Sequence, residues 1–369
     1  MIITTLEPAP TTATKRLQVV WQSRWGIVTS YAIHSEEMAL QLHALGVEVM
    51  FRPSAWHQPA TITHPVLREA ARRPVRDDAP QISYDLADMF YTAHPGYKIG
   101  YTGFDVDGLP ATWVDACNRM DEVWVTTHWG AEVFTASGVR RPIHVLPLGY
   151  DPQRFNPGLP ARPIANRFTF LSVFEWGERK APEVLLRAYA QAFTKRDDVL
   201  LLLRVNNFDG EVDVARQIAD LHLPADAAPI AILYNQHLAA AQLGSLYRSA
   251  DCFVLPTRGE GWGMPILEAM ACGLPAIATD WSGQREFFHA GVGYPIRVRA
   301  LIPAVAKCQL YTGFRWADPD LEHLVYLMRY VYEHPDEARA VGARAAQEVA
   351  ARWTWGQTAR RIYARLEAL

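Results

Sequence analysis

The chain has 369 residues, half of them hydrophobic, with a formal net charge of -3 and a pI near 6.5. That length asks for two or three domains with sizeable cores, and the near-neutral balance excludes the electrostatic footprint of a nucleic-acid or anionic-membrane binder. Four cysteines, at 117, 252, 272 and 308, have neither zinc-ligand spacing nor histidine neighbours and form no disulfide framework, so they are expected to be reduced core residues of a cytoplasmic protein.

Residues 1–14, rich in Thr, Pro and Ala, lack the charged start and apolar centre of a secretory signal, and no run approaches the ~18 apolar residues of a membrane span. Residues 17–22 read as a buried strand, 23–30 as the loop into a helix that ends near Gly46, and 47–51 as the next strand. The basic stretch 66–76, with Arg68, Arg72, Arg73 and Arg76, reads as a solvated helix end and leaves peripheral contact with the inner membrane face open. Alternation then resumes with strands at 98–102, 122–125 and 143–146 and helices at 109–119 and 130–137. Such alternation implies a parallel sheet covered on both faces, which makes residues 1–155 one Rossmann-like domain.

Proline and glycine crowd the segment 150–166 and mark a linker. A second domain over 156–354 has strands at 168–173, 199–203, 229–233, 252–255 and 276–278, again with helices between. There is no internal repeat and no low-complexity tract.

The densest chemistry lies at Arg258-Gly259-Glu260-Gly261-Trp262-Gly263-Met264-Pro265, which runs into Ile266-Leu267-Glu268. Two carboxylates eight positions apart bracket a glycine-rich turn, and Pro265 sits where a helix begins. Unsatisfied N–H groups at such a start, with the positive end of the macrodipole, seat a diphosphate. Glu260 and Glu268 then flank it and accept hydrogen bonds from hydroxyl groups.

This segment resembles the Glu-x7-Glu motif of retaining glycosyltransferases of the glycogen-synthase-like superfamily, also called family 4 or group 1 glycosyltransferases. The similarity extends upstream through Leu246 to Thr257 and downstream through Leu274 to Thr279. It implies the GT-B fold, an α/β architecture of two Rossmann-like, doubly wound domains facing across a cleft, with a last helix over 355–369 crossing back onto the first domain. It further implies metal-independent transfer of a hexose, mannose or glucose, from a nucleoside diphosphate sugar to a saccharide or lipid-linked acceptor, as in polysaccharide biosynthesis. No cofactor is expected beyond the donor, which is a substrate.

The resemblance assigns residues. Lys180 matches the lysine that neutralises the donor diphosphate, and the amides of Gly261, Trp262, Gly263 and Met264 share that anion. Glu260 orients the transferred sugar and acts at the catalytic centre, and Glu268 holds the ribose. Many members carry an arginine five or six residues before the lysine, where this chain has Glu175 and Phe174, so the second cation is unassigned, with Arg179 and Arg258 the nearest substitutes. Glu175 is expected to face a sugar hydroxyl or Arg179. Tyr234, Asn206 and Asn207 lie beyond strand ends and are candidates for the base.

On the acceptor side, Asp105 follows a first-domain strand and is the candidate for acceptor-hydroxyl or catalytic-base work. Asp107 reads as a turn or capping residue. The Asp-x-Asp spacing suits a divalent cation in other glycosyltransferases, but its place opposite the donor loop argues for no metal. Trp25 and Gly26 lie where relatives have a glycine-rich loop, Trp25 as a face for a sugar and Gly26 for close approach. His94 and His128 do not match the histidine that many relatives carry. Hinge closure around the donor is expected. An epimerase lacks an identifiable acid/base pair here, and a pyridoxal-dependent phosphorylase would need a lysine that the later Lys195 and Lys307 do not supply. The alternative outside enzymes is a degenerate GT-B subunit that binds sugar nucleotide or acts as a scaffold.

Overall fold

Val19, Val20 and Trp21 are fully buried, as an apolar run must be in a strand covered on both faces, and they centre β1 (Gln18–Ser23). The computed structural model describes residues 17–369 apart from 28, 55, 56, 162, 163, 208 and 237. The N-terminal stretch read as lacking a secretory signal lies outside the described residues.

The first sheet adds β2 (Glu48–Pro53), β3 (Gln81–Tyr84), β4 (Lys98–Thr102), β5 (Glu122–Val125) and β6 (Ile143–Val145), all parallel, in the order β2-β1-β3-β4-β5-β6. Its helices are α1 (Ser30–Ala44), α2 (Pro65–Arg72), α3 (Ala111–Asn118) and α4 (His128–Ala136). β3 escapes the hydrophobic pattern because two of its four buried side chains are polar. The Gln81 side-chain Nε2 donates to the Tyr91 carbonyl at 2.9 Å and to Ser83 Oγ at 3.1 Å.

The second sheet contains β7 (Phe168–Glu175), β8 (Val199–Asn206), β9 (Ile230–Tyr234), β10 (Cys252–Leu255), β11 (Ala276–Thr279) and β12 (Tyr294–Ile296). Its order, β12-β11-β10-β7-β8-β9, is parallel throughout and reverses between β7 and β10. The carboxyl ends of those two strands therefore open the crevice in which such sheets bind ligands. Helices α5 (Pro182–Ala192), α6 (Val214–Ala219), α7 (Ala240–Arg248) and α8 (Met264–Ala271) complete this layer.

Two additions follow β12. Strands β13 (Val298–Pro303) and β14 (Arg315–Pro319) form an antiparallel hairpin that the sequence pattern did not reveal. Its tip crosses to the first sheet. Phe104 stacks on Tyr311 at 5.7 Å, and Ala304 and Trp316 join the core of Val106, Leu109 and Trp113. Then α9 (Leu321–Glu333), α10 (Pro335–Arg352) and α11 (Trp355–Glu367) follow. Thr354 caps α11 reciprocally with Gln357, and Tyr150 brackets that turn with bonds to Trp353 and Trp355. α11 returns to α1, with Trp355 against His34 at 5.3 Å, and Arg365 pairs with the buried Glu122.

Cys117, Cys252 and Cys272 are buried, but Cys308 is exposed at the hairpin tip, which corrects its assignment to the core. Among the described residues no helix is long and apolar enough to cross a membrane.

Candidate donor site between the two sheets

β7 ends at Glu175, and a 3-10 turn over Glu178–Lys180 precedes α5. Ala181 joins them in the left-handed region at φ 50, a conformation that a non-glycine residue adopts at a cost of about 1–3 kcal/mol. The turn buries Lys180 against the loop that follows β10. There the Lys180 Nζ pairs with Glu260 Oε1, and Arg179 Nη1 reaches Glu260 Oε2 at 3.1 Å and the Gly259 carbonyl at 2.6 Å. The loop itself is held because the Glu260 amide donates to Ser282 Oγ at 2.9 Å and Gly283 donates back to the Glu260 carbonyl at 2.9 Å.

The electrostatics follow from this packing. Burial raises the Glu260 carboxyl, but Lys180 and Arg179 outweigh it and hold the group at about 2. Burial and the neighbouring Arg179 pull the Lys180 ammonium down, with Glu260 opposing. Glu268 behaves in the opposite way. Burial raises it to about 7 against the Tyr247 hydroxyl and Arg204, and Tyr247 donates to its Oε2 at 3.1 Å.

Gly263 caps α8 at φ +100, where a side chain would be strained, and among the described residues no side chain caps the first turn, which also holds no acidic residue. The Met264 amide is therefore available at the positive end of the helix. Trp262 brings only its backbone to this loop, because its indole is buried against Phe287 and Trp353.

The opposite wall is the loop after β4. A Cβ on Gly259 would lie 2.0 Å from the Asp105 carbonyl, so the two loops touch backbone to backbone. Thr126 Oγ1 donates to the Gly261 carbonyl at 2.6 Å. Asp105 Oδ2 lies 3.4 Å from Arg179 Nε and accepts from the Tyr311 hydroxyl at 3.0 Å. Asp105 thus reaches the cleft already engaged by two partners. Asp107 binds Arg315 through its amide at 2.7 Å and its Nε at 2.8 Å, so it anchors the hairpin rather than capping a turn of its own.

Several expectations need correction. Trp25 is fully buried and stacked on Phe51 at 4.0 Å, so it offers no face to a sugar. At Gly26, φ is +75 and a Cβ would strike the Gln58 carbonyl at 2.1 Å, so the close approach is to the chain's own loop. Arg258 is turned away, bonded to the Glu178 carbonyl and Glu183 and lying over Trp316. Glu175 is exposed and is not paired with Arg179 among the described residues. Asn207 spends its side-chain N–H on the Trp176 carbonyl at 3.2 Å, whereas Tyr234 stays 43% exposed. His128 pairs with Glu286 and His94 is buried on the Ala79 carbonyl, so among the described residues neither bonds Lys180, Glu260 or Asp105. Among the described residues no three His, Cys, Asp or Glu side chains are grouped to hold a metal ion.

Tyr247, Arg204, Ser282 and Tyr311 were not read from the sequence. Each is polar and ordinary in its own segment, and only tertiary packing brings it to Glu268, Glu260 or Asp105.

The chain superposes on Anabaena Alr3699/HepE, solved in complex with UDP and glucose, with a TM-score of 0.69 over 96% of this chain and 100% of that one, at 14% identity. That similarity establishes the GT-B fold. Residues 165–308 match the family described as glycosyl transferases group 1. Over that segment, which holds the second sheet, the chain is similar to the group 1 glycosyltransferases. Among curated relatives, mannosylfructose-phosphate synthase of Agrobacterium fabrum is 29% identical over 154 residues, 39% of this chain and 34% of that protein. The GDP-mannose-dependent monoacylated alpha-(1-6)-phosphatidylinositol monomannoside mannosyltransferase of Corynebacterium glutamicum is 27% identical over 237 residues, 60% of this chain and 55% of that protein. The chain thus spans between a third and just over half the length of these relatives.

Proposed function

We propose that the chain is a retaining, family 4 hexosyltransferase that moves mannose or glucose from a guanosine or uridine diphosphate sugar to a saccharide or lipid-linked acceptor without a metal ion. The carrying observation is the buried Lys180–Glu260 pair beside the uncapped start of α8, with Glu268 on that helix. A donor diphosphate set on the Met264 amide and Lys180 places its ribose toward Glu268 and its sugar toward Glu260 and the Asp105 loop. The bond from the anomeric carbon to the phosphate oxygen breaks, the acceptor oxygen attacks the same face, and its proton passes to the leaving phosphate. The protein contributes orientation and stabilisation of the charge that develops on that phosphate. Donor names among the relatives support the range of bases, since one is named for GDP-mannose and a structural neighbour holds UDP and glucose.

The test is thermal stabilisation by a panel of UDP-, GDP-, ADP- and TDP-sugars, with and without EDTA, in the parent and in Glu268→Ala. At about 100 times its dissociation constant a donor stabilises by about 2.7 kcal/mol. A shift with one nucleotide that survives EDTA and disappears in the variant supports the reading. No shift with any of them favours the degenerate subunit, a reading that Glu175 in place of the usual cation keeps in play.

A further inference from the structure

The first sheet has its own reversal of strand order, and the proposed donor chemistry does not use it. β1 and β3 are neighbours, with β2 outside one and β4 outside the other. The crevice beyond the carboxyl ends of β1 and β3 is therefore a second topological switch point, the position at which open α/β sheets take ligands.

Two charged residues occupy it, each directly after its strand. Arg24 follows β1 and Asp85 follows β3. Arg24 Nε lies 3.0 and 3.2 Å from the two Asp85 oxygens and Nη2 lies 2.7 Å from Oδ1. The Asp85 side chain is wholly buried and also accepts the Leu86 amide at 2.8 Å, whereas Arg24 keeps 16% of its side chain exposed. Its Cζ lies 5.3 Å from the ring of Tyr31, in the first turn of α1.

A guanidinium has five N–H donors in a rigid fork. Asp85 takes the Nε edge and fixes the plane, and Nη1 makes no bond among the described residues. The first turn of α1 holds no acidic residue, and its dipole adds positive potential. Tyr31 packs on Tyr84 at 5.1 Å and Tyr84 on Tyr101 of β4 at 4.8 Å, so the corner runs along the strand ends toward the Asp105 loop that follows β4. Two strand spacings separate β1 from β4, about 10 Å, the reach of one sugar with a charged substituent.

We infer that Arg24, clamped by Asp85, binds a phosphoryl oxygen of a substrate in the cleft. This rests on the glycosyl-transfer reading for the identity of the substrate. The phosphoryl group belongs either to the donor diphosphate, replacing the cation missing at Glu175, or to a phosphorylated acceptor.

Calorimetric titration separates these sources in the parent, in Arg24→Lys, and in a double Arg24→Gln, Asp85→Asn variant that leaves no lone buried carboxylate. Arg24→Lys keeps the charge on Asp85 and the fold while losing the fork, so it carries the test if the double variant does not fold. The probes are UDP and GDP against uridine and guanosine, and glucose 6-phosphate against glucose in the presence of saturating nucleoside diphosphate. A tenfold or greater loss for the nucleoside diphosphate, with the nucleoside unchanged, assigns Arg24 to the donor. The same loss for glucose 6-phosphate alone assigns it to the acceptor. Equal affinities in parent and variants for both charged probes overturn the inference, as does a parent that binds neither. Nucleotide-induced stabilisation of the parent, lost in Glu268→Ala, is read separately. If that fails while Arg24-dependent glucose 6-phosphate binding persists without nucleotide, the transfer reading fails and the phosphoryl site stands.

Discussion

Glu268 and Glu260 are eight residues apart, yet burial raises the first to about 7 while Lys180 and Arg179 hold the second, also buried, at about 2. A ribose hydroxyl donates best to an ionised carboxylate. Nucleoside diphosphate affinity is therefore predicted to rise with pH through about 7, and Glu268→Gln should flatten the profile, as calorimetry from pH 6 to 8.5 would show. The same group has a folded pKa above its unfolded one, so the folded state binds more protons between about 4.5 and 7, and this group's contribution to stability falls as pH rises through that window. Lys180→Ala should cost more than a surface lysine. It strips Glu260 of its nearest partner, and breaking a buried pair costs about 3–5 kcal/mol, which chemical denaturation would measure. The loss should be smaller in Lys180→Ala, Glu260→Gln, where no lone carboxylate remains. The motif made both glutamates and Lys180 legible in the sequence, because each sits at a fixed step from a strand end. Tyr311 was not, since nothing in Leu310-Tyr311-Thr312 marks a cleft residue, and in the loop after β1 the reading fell on Trp25 and Gly26 rather than on Arg24. The same loop misled at Trp25, where an aromatic suited to a sugar is instead packed on Phe51.

Among the elements, the strands that were read correctly are those with continuous apolar runs, such as β8 and β10. The polar β3 and the half-exposed hairpin β13–β14 lack such a run and were missed. The hairpin matters because it is a second-domain insertion that binds the first-domain loop carrying Asp105 and Asp107. Tyr311 stacks on Phe104 and donates to Asp105, while Arg315 holds Asp107. Tyr311→Phe keeps the stack and removes one bond to a carboxylate, so it should cost about 1.5–3 kcal/mol. Arg315→Ala breaks a more exposed pair and should cost no more than about 1 kcal/mol. The opposite order in denaturant unfolding would show that Asp105 takes little from the hairpin.

For the whole molecule, α11 closes the first domain and traps His34 among Trp21, Tyr84, Tyr101 and Trp355. Burial lowers this imidazole to about 3, and neither ring nitrogen has a partner among the described residues. The unfolded chain binds a proton near 6.5 that the folded one refuses, so stability should fall as pH drops below 6.5, by up to about 1.4 kcal/mol per pH unit from this residue. His34→Phe should lessen that slope in urea titrations between pH 4 and 7, and an unchanged slope would contradict the assignment. The alternation of strands and helices made two doubly wound sheets readable, but not the cross-cleft contacts of Arg179, Thr126 and the hairpin. Those contacts join residues more than 70 positions apart and have no local signature. The measurement that bears most directly on the account is a crystal structure with the nucleoside diphosphate that stabilises the protein. The account predicts the diphosphate on the Met264 amide and Lys180 with the ribose on Glu268, and a nucleotide seated elsewhere with Glu268 still bound only to Tyr247 would contradict it.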